Sequence, residues 1–204
     1  MIKRFMQYLI AVFIIGFSIG TFFPNAYIQH KNDHKIIAWA RTLGFGPPKF
    51  EYTNNREYLN SIKKCISYIN FDLPPSQQIN TELIIAQSVV ESDYGRSRFS
   101  REGNNLFGIR IWSKNGILPY GQSYSVEWRI KTYKNKCESV QDYIYLLNTK
   151  RVYAEFRRVR HDSWVQDPLK LAKTLNNFST NKQYEQKIVE VIHILRNSKQ
   201  YEKL

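Results

Sequence analysis

Cysteine is scarce: the 204 residues hold two, Cys65 and Cys137, too few for a small disulfide-stapled scaffold. They stand far apart in sequence. If the domain is exported they can form one bridge; two free buried thiols fit the spacing equally well. Histidine is nearly as rare, with four residues at 30, 34, 161 and 193. Only His30 and His34 are spaced as ligands, and that pair falls in a stretch that reads as a linker, so no metal site and no cofactor is expected. Also missing are a phosphate-cradling glycine loop, a nucleophile elbow and a Cys–His signature, which removes the commonest nucleotide-binding and covalent-hydrolase readings. Internal repeats and low-complexity tracts are absent too, excluding a solenoid or a biased, disordered chain.

Acidic side chains are in short supply. Seventeen Asp plus Glu face thirty Lys plus Arg, a net charge of +13, which favours a polyanionic partner, whether nucleic acid or an anionic cell-wall polymer. Aromatic residues make up 15% of the chain, as suits a ligand bound by stacking, although most aromatics in any domain serve its core. The length accommodates one domain and an appendage.

Phe5 to Phe23 is almost uninterruptedly apolar and follows Lys3 and Arg4. As a helix it would rise roughly 28 Å, enough to cross a bilayer core. We read residues 1–26 as a signal anchor or transmembrane segment, because Pro24-Asn25-Ala26 is a poor cleavage site. Lys31, Lys35 and Arg41 beyond it weaken the charge argument for orientation. Residues 27–55, with Pro47-Pro48, read as a linker with one short helix around His34 to Leu43. The remainder, 56–204, is the domain. Tyr58, Ile62, Ile66 and Ile69 recur at helical spacing within Arg56 to Phe71, and Asp72-Leu73-Pro74-Pro75 closes that helix.

The stretch TELIIAQSVVESDYGRSRFSREGNNLFG, Thr81 to Gly108, organises the rest. Leu83, Ile84, Ile85, Ala86, Val89 and Val90 cover too much of a helix circumference for a one-sided stripe, so this helix is expected to be surrounded by protein. Asn80 or Thr81 caps it, and Gly95 stops it. Its last turn carries Glu91. Desolvation there raises a carboxyl pKa and keeps a proton available for a leaving oxygen. The polar segment after it folds back beside the helix end, with Asn105 and Phe107 as candidates for contact with a sugar.

AQSVVESDYGRSRF followed by EGNNLFGI resembles the glucosaminidase family of peptidoglycan hydrolases, and within it the Bax-type bacterial proteins, over about Ser61 to Arg196. The resemblance implies an α+β, mostly helical, lysozyme-like domain with a small β-hairpin lobe. It implies hydrolysis of β-1,4 bonds next to N-acetylglucosamine in peptidoglycan glycan strands, with Glu91 as general acid.

After Gly108 the period changes. Ile109 to Trp112 and Ser123 to Tyr133 read as strands, with Tyr124, Val126, Trp128 and Ile130 on one side and Ser125, Glu127, Arg129 and Lys131 on the other. Glu127 therefore points to solvent or to a groove shared with Glu91. It resembles the second acidic residue that family members carry on such a lobe; a cross-strand ion pair with Arg129 or a lysine is the plainer reading. From Ser139 onward the chain reads as helical, with a loop at Asn148 to Arg151 and helices over Trp164 to Asn177 and Tyr184 to Arg196. The family places a tyrosine at the sugar cleft where this chain has Tyr153, and Tyr184 is a second candidate; a core position suits Tyr153 nearly as well. His193, inside an apolar run, reads as a packing residue.

Lys150, Arg151, Arg157, Arg158, Arg160 and His161, interleaved with aromatics, suggest a nucleic-acid face or a helix facing anionic wall or membrane. An anchored domain on the periplasmic, extracytoplasmic side of the bacterial inner membrane meets no nucleic acid, and a monomer is expected. A lytic transglycosylase or muramidase shares the glutamate-serine pattern. A non-catalytic wall-binding module is the rival from another class.

Overall fold

The computed structural model describes residues 6–8, 10–13, 46–161, 166–179 and 181–197. The chain separates into two units, Met1–Gly46 and Pro47–Leu204. In the first, residues 6–8 and 10–13 are helical and exposed. Among the described residues no helix is long and apolar enough to cross a membrane. Most of the Phe5 to Phe23 run and the helix expected around His34 to Leu43 lie outside the described residues.

The second unit is mostly helical. Helix α1, Asn55–Phe71, starts with a reciprocal cap: Asn54 accepts from the Glu57 N–H at 2.9 Å while the Glu57 carboxylate accepts from the Thr53 N–H at 2.6 Å. It buries Tyr58, Leu59, Ile62, Cys65, Ile66 and Ile69. Phe50 and Tyr52, ahead of it, pack against the same core. Helix α2, Thr81–Ser92, is capped by the Asn80 side chain, which accepts from the Leu83 N–H at 3.1 Å. Leu83 through Val89 are all buried, so α2 is the central helix, with α1 and two later helices packed around it. Each large apolar side chain buried there contributes about 1.5–3 kcal/mol.

A short helix α3, Arg98–Gly103, leads to a two-stranded antiparallel sheet, β1 Arg110–Ile111 against β2 Arg129–Ile130. Arg110 pairs with Ile130 and Ile111 with Arg129, and Ile117 bridges Ile130 from its other edge. Then come α4, Lys136–Thr149; a 3-10 turn, Arg151–Tyr153; α5, Ala154–His161; α6, Pro168–Ala172; and α7, Tyr184–Asn197. Cys65 and Cys137 are joined in a disulfide between α1 and the first turn of α4, their Cα atoms 5.3 Å apart.

Four expectations need correction. The strand expected over Ser123 to Tyr133 shrinks to Arg129–Ile130, and both residues are buried rather than alternating. The cause is local: Ser123 accepts from the Val126 N–H in a turn, and the Arg129 guanidinium takes the carbonyls of Tyr124, Val126 and Trp128. Among the described residues the helix expected over Trp164 to Asn177 is confined to Pro168–Ala172, with Asp167 capping the Leu169 N–H at 3.0 Å. Proline lacks an N–H, so Pro168 begins a helix rather than continuing one. Residues 162–165 lie outside the described residues. Helix α4 extends through Thr149, into the expected loop. His193 is exposed rather than packed.

The basic run is largely engaged within the domain. Arg157 donates to the carbonyls of Leu147 and Lys150, Arg158 pairs with Glu155, and the nearly buried Arg160 donates to the Asn148 side chain. The Arg157 and Arg160 guanidinium groups brace the end of α4 against α5.

Candidate active site

The end of α2 is built tightly. Ser92, fully buried, donates to the Ser88 carbonyl at 2.6 Å and accepts from the Gly95 N–H at 2.9 Å. Asp93, Tyr94 and Gly95 follow with φ of 50°, 52° and 76°, three left-handed residues in succession, which turn the chain sharply off the helix axis. A Cβ at Gly95 would stand 2.3 Å from the Tyr52 hydroxyl oxygen. Only glycine fits that turn. Glu91, in the last helical turn, is therefore held on a rigid element.

Glu91 is half-buried, and desolvation pushes its pKa above the usual carboxylate value. A hydrogen bond from Tyr184 and the charge of Lys187 act in the opposite direction. The loop after α3 lies against the carboxylate: a Cβ built on Gly108, whose φ is +63°, would sit 3.5 Å from Glu91 Oε2. Asn105 shapes that loop. It is buried; its amide nitrogen donates to the carbonyls of Ile109 and Lys131 at 2.9 and 2.8 Å, and its oxygen accepts from the N–H groups of Phe107 and Ile109. All four of its hydrogen-bonding positions are used within the chain. Asn105→Ala should cost about 2–3 kcal/mol in urea unfolding, because four backbone groups each lose a hydrogen bond and the buried Phe107 and Ile109 N–H groups lose their acceptor. An unchanged midpoint would show that water replaces the amide.

Below the carboxylate lies an aromatic cluster drawn from three parts of the chain. Phe107 stacks on Tyr143 of α4 with centroids 4.1 Å apart; Phe178 meets Tyr143 edge-on at 5.8 Å and stacks on Tyr184 of α7 at 5.8 Å; Tyr153 approaches Phe178 at 6.5 Å. Burial pushes the Tyr143, Tyr153 and Tyr184 hydroxyls above their usual pKa, and the neighbouring Glu91 charge adds to this for Tyr143 and Tyr184. All three stay protonated at neutral pH.

Four of the six residues read from the sequence as site candidates gather here: Glu91, Phe107, Tyr153 and Tyr184, with Asn105 forming the loop beneath. Glu127 is exposed, just before β2. Arg129, its expected ion-pair partner, is occupied by carbonyls. Gln87, Tyr143 and Phe178 were not read as site residues. Gln87 alone had a signal, a long polar side chain one turn before Glu91 in a mostly apolar run. Among the described residues no group of three or more His, Cys, Asp or Glu side chains is placed to hold a metal ion.

Residues 74–197 match the glucosaminidase family, described as mannosyl-glycoprotein endo-beta-N-acetylglucosaminidase. The chain belongs to the glucosaminidase family. Among curated relatives it is 28% identical over 152 residues to an N-acetylmuramoyl-L-alanine amidase domain-containing protein of Staphylococcus aureus, covering 68% of this chain and 23% of that protein. It is 31% identical over 85 residues to the protein Bax of Escherichia coli, covering 40% of this chain and 28% of Bax. The chain thus spans about a quarter of the length of these relatives. Among solved structures, the catalytic domain of the Listeria monocytogenes autolysin Auto superposes with a TM-score of 0.53 at 19% identity, covering 81% of this chain and 93% of that domain. At that identity the likeness concerns the fold alone. Within that fold, α2 carries Glu91 and the β-lobe carries Glu127.

Proposed function

We propose that the protein is a peptidoglycan hydrolase, an endo-β-N-acetylglucosaminidase that cleaves β-1,4 bonds next to N-acetylglucosamine with Glu91 as general acid. The observation that carries this reading is the half-buried Glu91 carboxyl group, its pKa raised by desolvation, at the rigid end of α2 beside Tyr184 and Gly108. Desolvation shifts such a group towards its protonated form, the form that can donate to a leaving glycosidic oxygen. Membership of the glucosaminidase family supports the bond type, and the autolysin likeness supports the fold. Tyr153 and Tyr184 flank the sugar, while Phe107 and Asn105 shape the floor beneath it. The protein acts as a monomer at the outer face of the bacterial inner membrane, held by the Phe5 to Phe23 segment. The Cys65–Cys137 disulfide fits an oxidising compartment.

Glu127 has two possible parts. On an inverting route it activates water across the sugar, from a carboxylate separation of about 6.5–9.5 Å in the closed complex. On a substrate-assisted route the sugar's N-acetyl oxygen attacks, and Glu91 serves as acid and then as base. Glu127→Gln distinguishes them: a loss of about 10²-fold or more in turnover supports the first, and a loss of a few-fold the second.

The test is digestion of purified peptidoglycan by the full chain, with fragments identified by mass spectrometry before and after borohydride reduction. Reducing N-acetylglucosamine ends are expected. Anhydro-muramic ends would make it a lytic transglycosylase, and binding without release a non-catalytic wall-binding module.

A further inference from the structure

We propose that Gln87 is a positioning residue that holds the Tyr184 hydroxyl in place as a hydrogen-bond donor to Glu91. This inference rests on the reading of Glu91 as the general acid only for its catalytic consequence; the hydrogen-bond chain stands without it.

Gln87 lies on α2 one turn before Glu91 and is fully buried. The Tyr143 hydroxyl, on α4, donates to its Oε1; its Nε2 donates to the Tyr184 hydroxyl, on α7, at 2.9 Å. The Tyr184 hydroxyl also lies close enough to Glu91 to lower the proton affinity of that carboxyl group. The two hydrogen bonds through Gln87 run in one direction. A phenol oxygen that accepts from an amide N–H has its own proton left to give, and the acceptor within reach is the Glu91 carboxylate. The reversed amide would leave the buried Tyr143 proton without an acceptor and draw the Tyr184 proton away from Glu91. The observed orientation satisfies every group in the chain, which makes it the favoured one.

Gln87 touches no solvent, so it acts through Tyr184 rather than on a substrate. A donor aimed at a carboxylate favours its charged form. Gln87 therefore keeps burial from lifting the proton affinity of Glu91 so far that the carboxylate is slow to let its proton go. Among described groups, those facing Glu91 are Lys187 and Tyr184 from α7 and Tyr143 from α4, with Tyr153 beyond Tyr143.

The experiment is a carbon-13 carboxyl titration of the full chain labelled at glutamate, with Glu91→Gln identifying the Glu91 signal. Gln87→Met and Tyr184→Phe are each expected to move the Glu91 midpoint upward by about one pH unit, the worth of one hydrogen bond to a charged group. The double variant should move it no further, because both changes break one chain. Lys187→Met acts independently, and its shift should add to that of Gln87→Met. Tyr143→Phe keeps the ring stacking and releases the amide to reverse, so a smaller upward shift is expected there; it is the second test should Gln87→Met unfold. A wild-type midpoint in Gln87→Met or, where that variant unfolds, in Tyr143→Phe overturns the proposal, as does full additivity with Tyr184→Phe. Peptidoglycan digestion against pH separates this from the function itself. With the shifts present, the alkaline limb of activity moves up by the same amount. Shifts in a wild type that releases no fragments would remove the hydrolase reading and leave the positioning role. Digestion lost in Glu91→Gln, with no shift in Gln87→Met, would do the reverse.

Discussion

Glu91→Gln lowers peptidoglycan turnover by about 10³-fold or more while fragment binding persists, because the amide keeps the shape of the carboxyl group and cannot protonate the leaving oxygen. The same variant should melt higher than the wild type above neutral pH. The folded-state pKa of Glu91 is raised above its ordinary value of 4.5, so the folded protein binds that proton more tightly than the unfolded chain does. Its contribution to stability is full below the unfolded value and declines as pH rises through the folded one. A neutral glutamine escapes that decline. At pH 8 a higher Tm is expected for the variant, with the two curves meeting at acid pH. Lost turnover with unchanged melting would mean that Tyr184 and Lys187 offset the desolvation in full. Unchanged turnover would remove Glu91 from the chemistry altogether.

Part of this arrangement is local and therefore legible in the chain. Asn80 caps α2, Glu91 stands in its last turn, and Gly95 ends the turn that follows, all within sixteen residues and all governed by helix-end rules. The loop ending at Gly108 could be read as folding back, yet the tie that makes it do so, from Asn105 to the Lys131 carbonyl, spans 26 positions. The aromatic cluster is less local still. Tyr143 and Tyr184 reach Gln87 across 56 and 97 positions, and nothing in the periodicity of α4 or α7 marks those two tyrosines apart from core residues. The β-lobe misled for a different reason. Alternation across Ser123 to Tyr133 presumes that backbone carbonyls pair with another strand, whereas the Arg129 side chain takes three of them. A buried arginine of this kind breaks the rule that polar residues face outward.

Removing the disulfide, by Cys65→Ala with Cys137→Ala, should be the most destabilising change short of the core. Spacing alone could not decide between a bridge and two free thiols; proximity decides it, since α1 and α4 lie side by side and bring Cα atoms separated by 72 positions to 5.3 Å. The loop so closed contains all of α2, the turn after Glu91, the Asn105 loop and the β-lobe. Closing a loop of that size removes about 4 kcal/mol of conformational freedom from the unfolded chain. In a chain this long the loss corresponds to a Tm lower by about 8–16 °C. Differential scanning calorimetry of the wild type in reductant should approach the curve of the double variant, and reductant should leave the variant itself unmoved. Equal melting of wild type and variant under oxidising conditions would show that side-by-side packing of α1 and α4, rather than the covalent tie, already restricts the unfolded ensemble. The consequence for the site is direct. Both cysteines are almost completely buried, Cys65 at 0% and Cys137 at 4% exposure, so reduction needs transient separation of α1 from α4. That opening loosens the packing of Tyr143 on α4 beneath Glu91, and loss of activity under reductant should therefore track loss of folded protein rather than precede it.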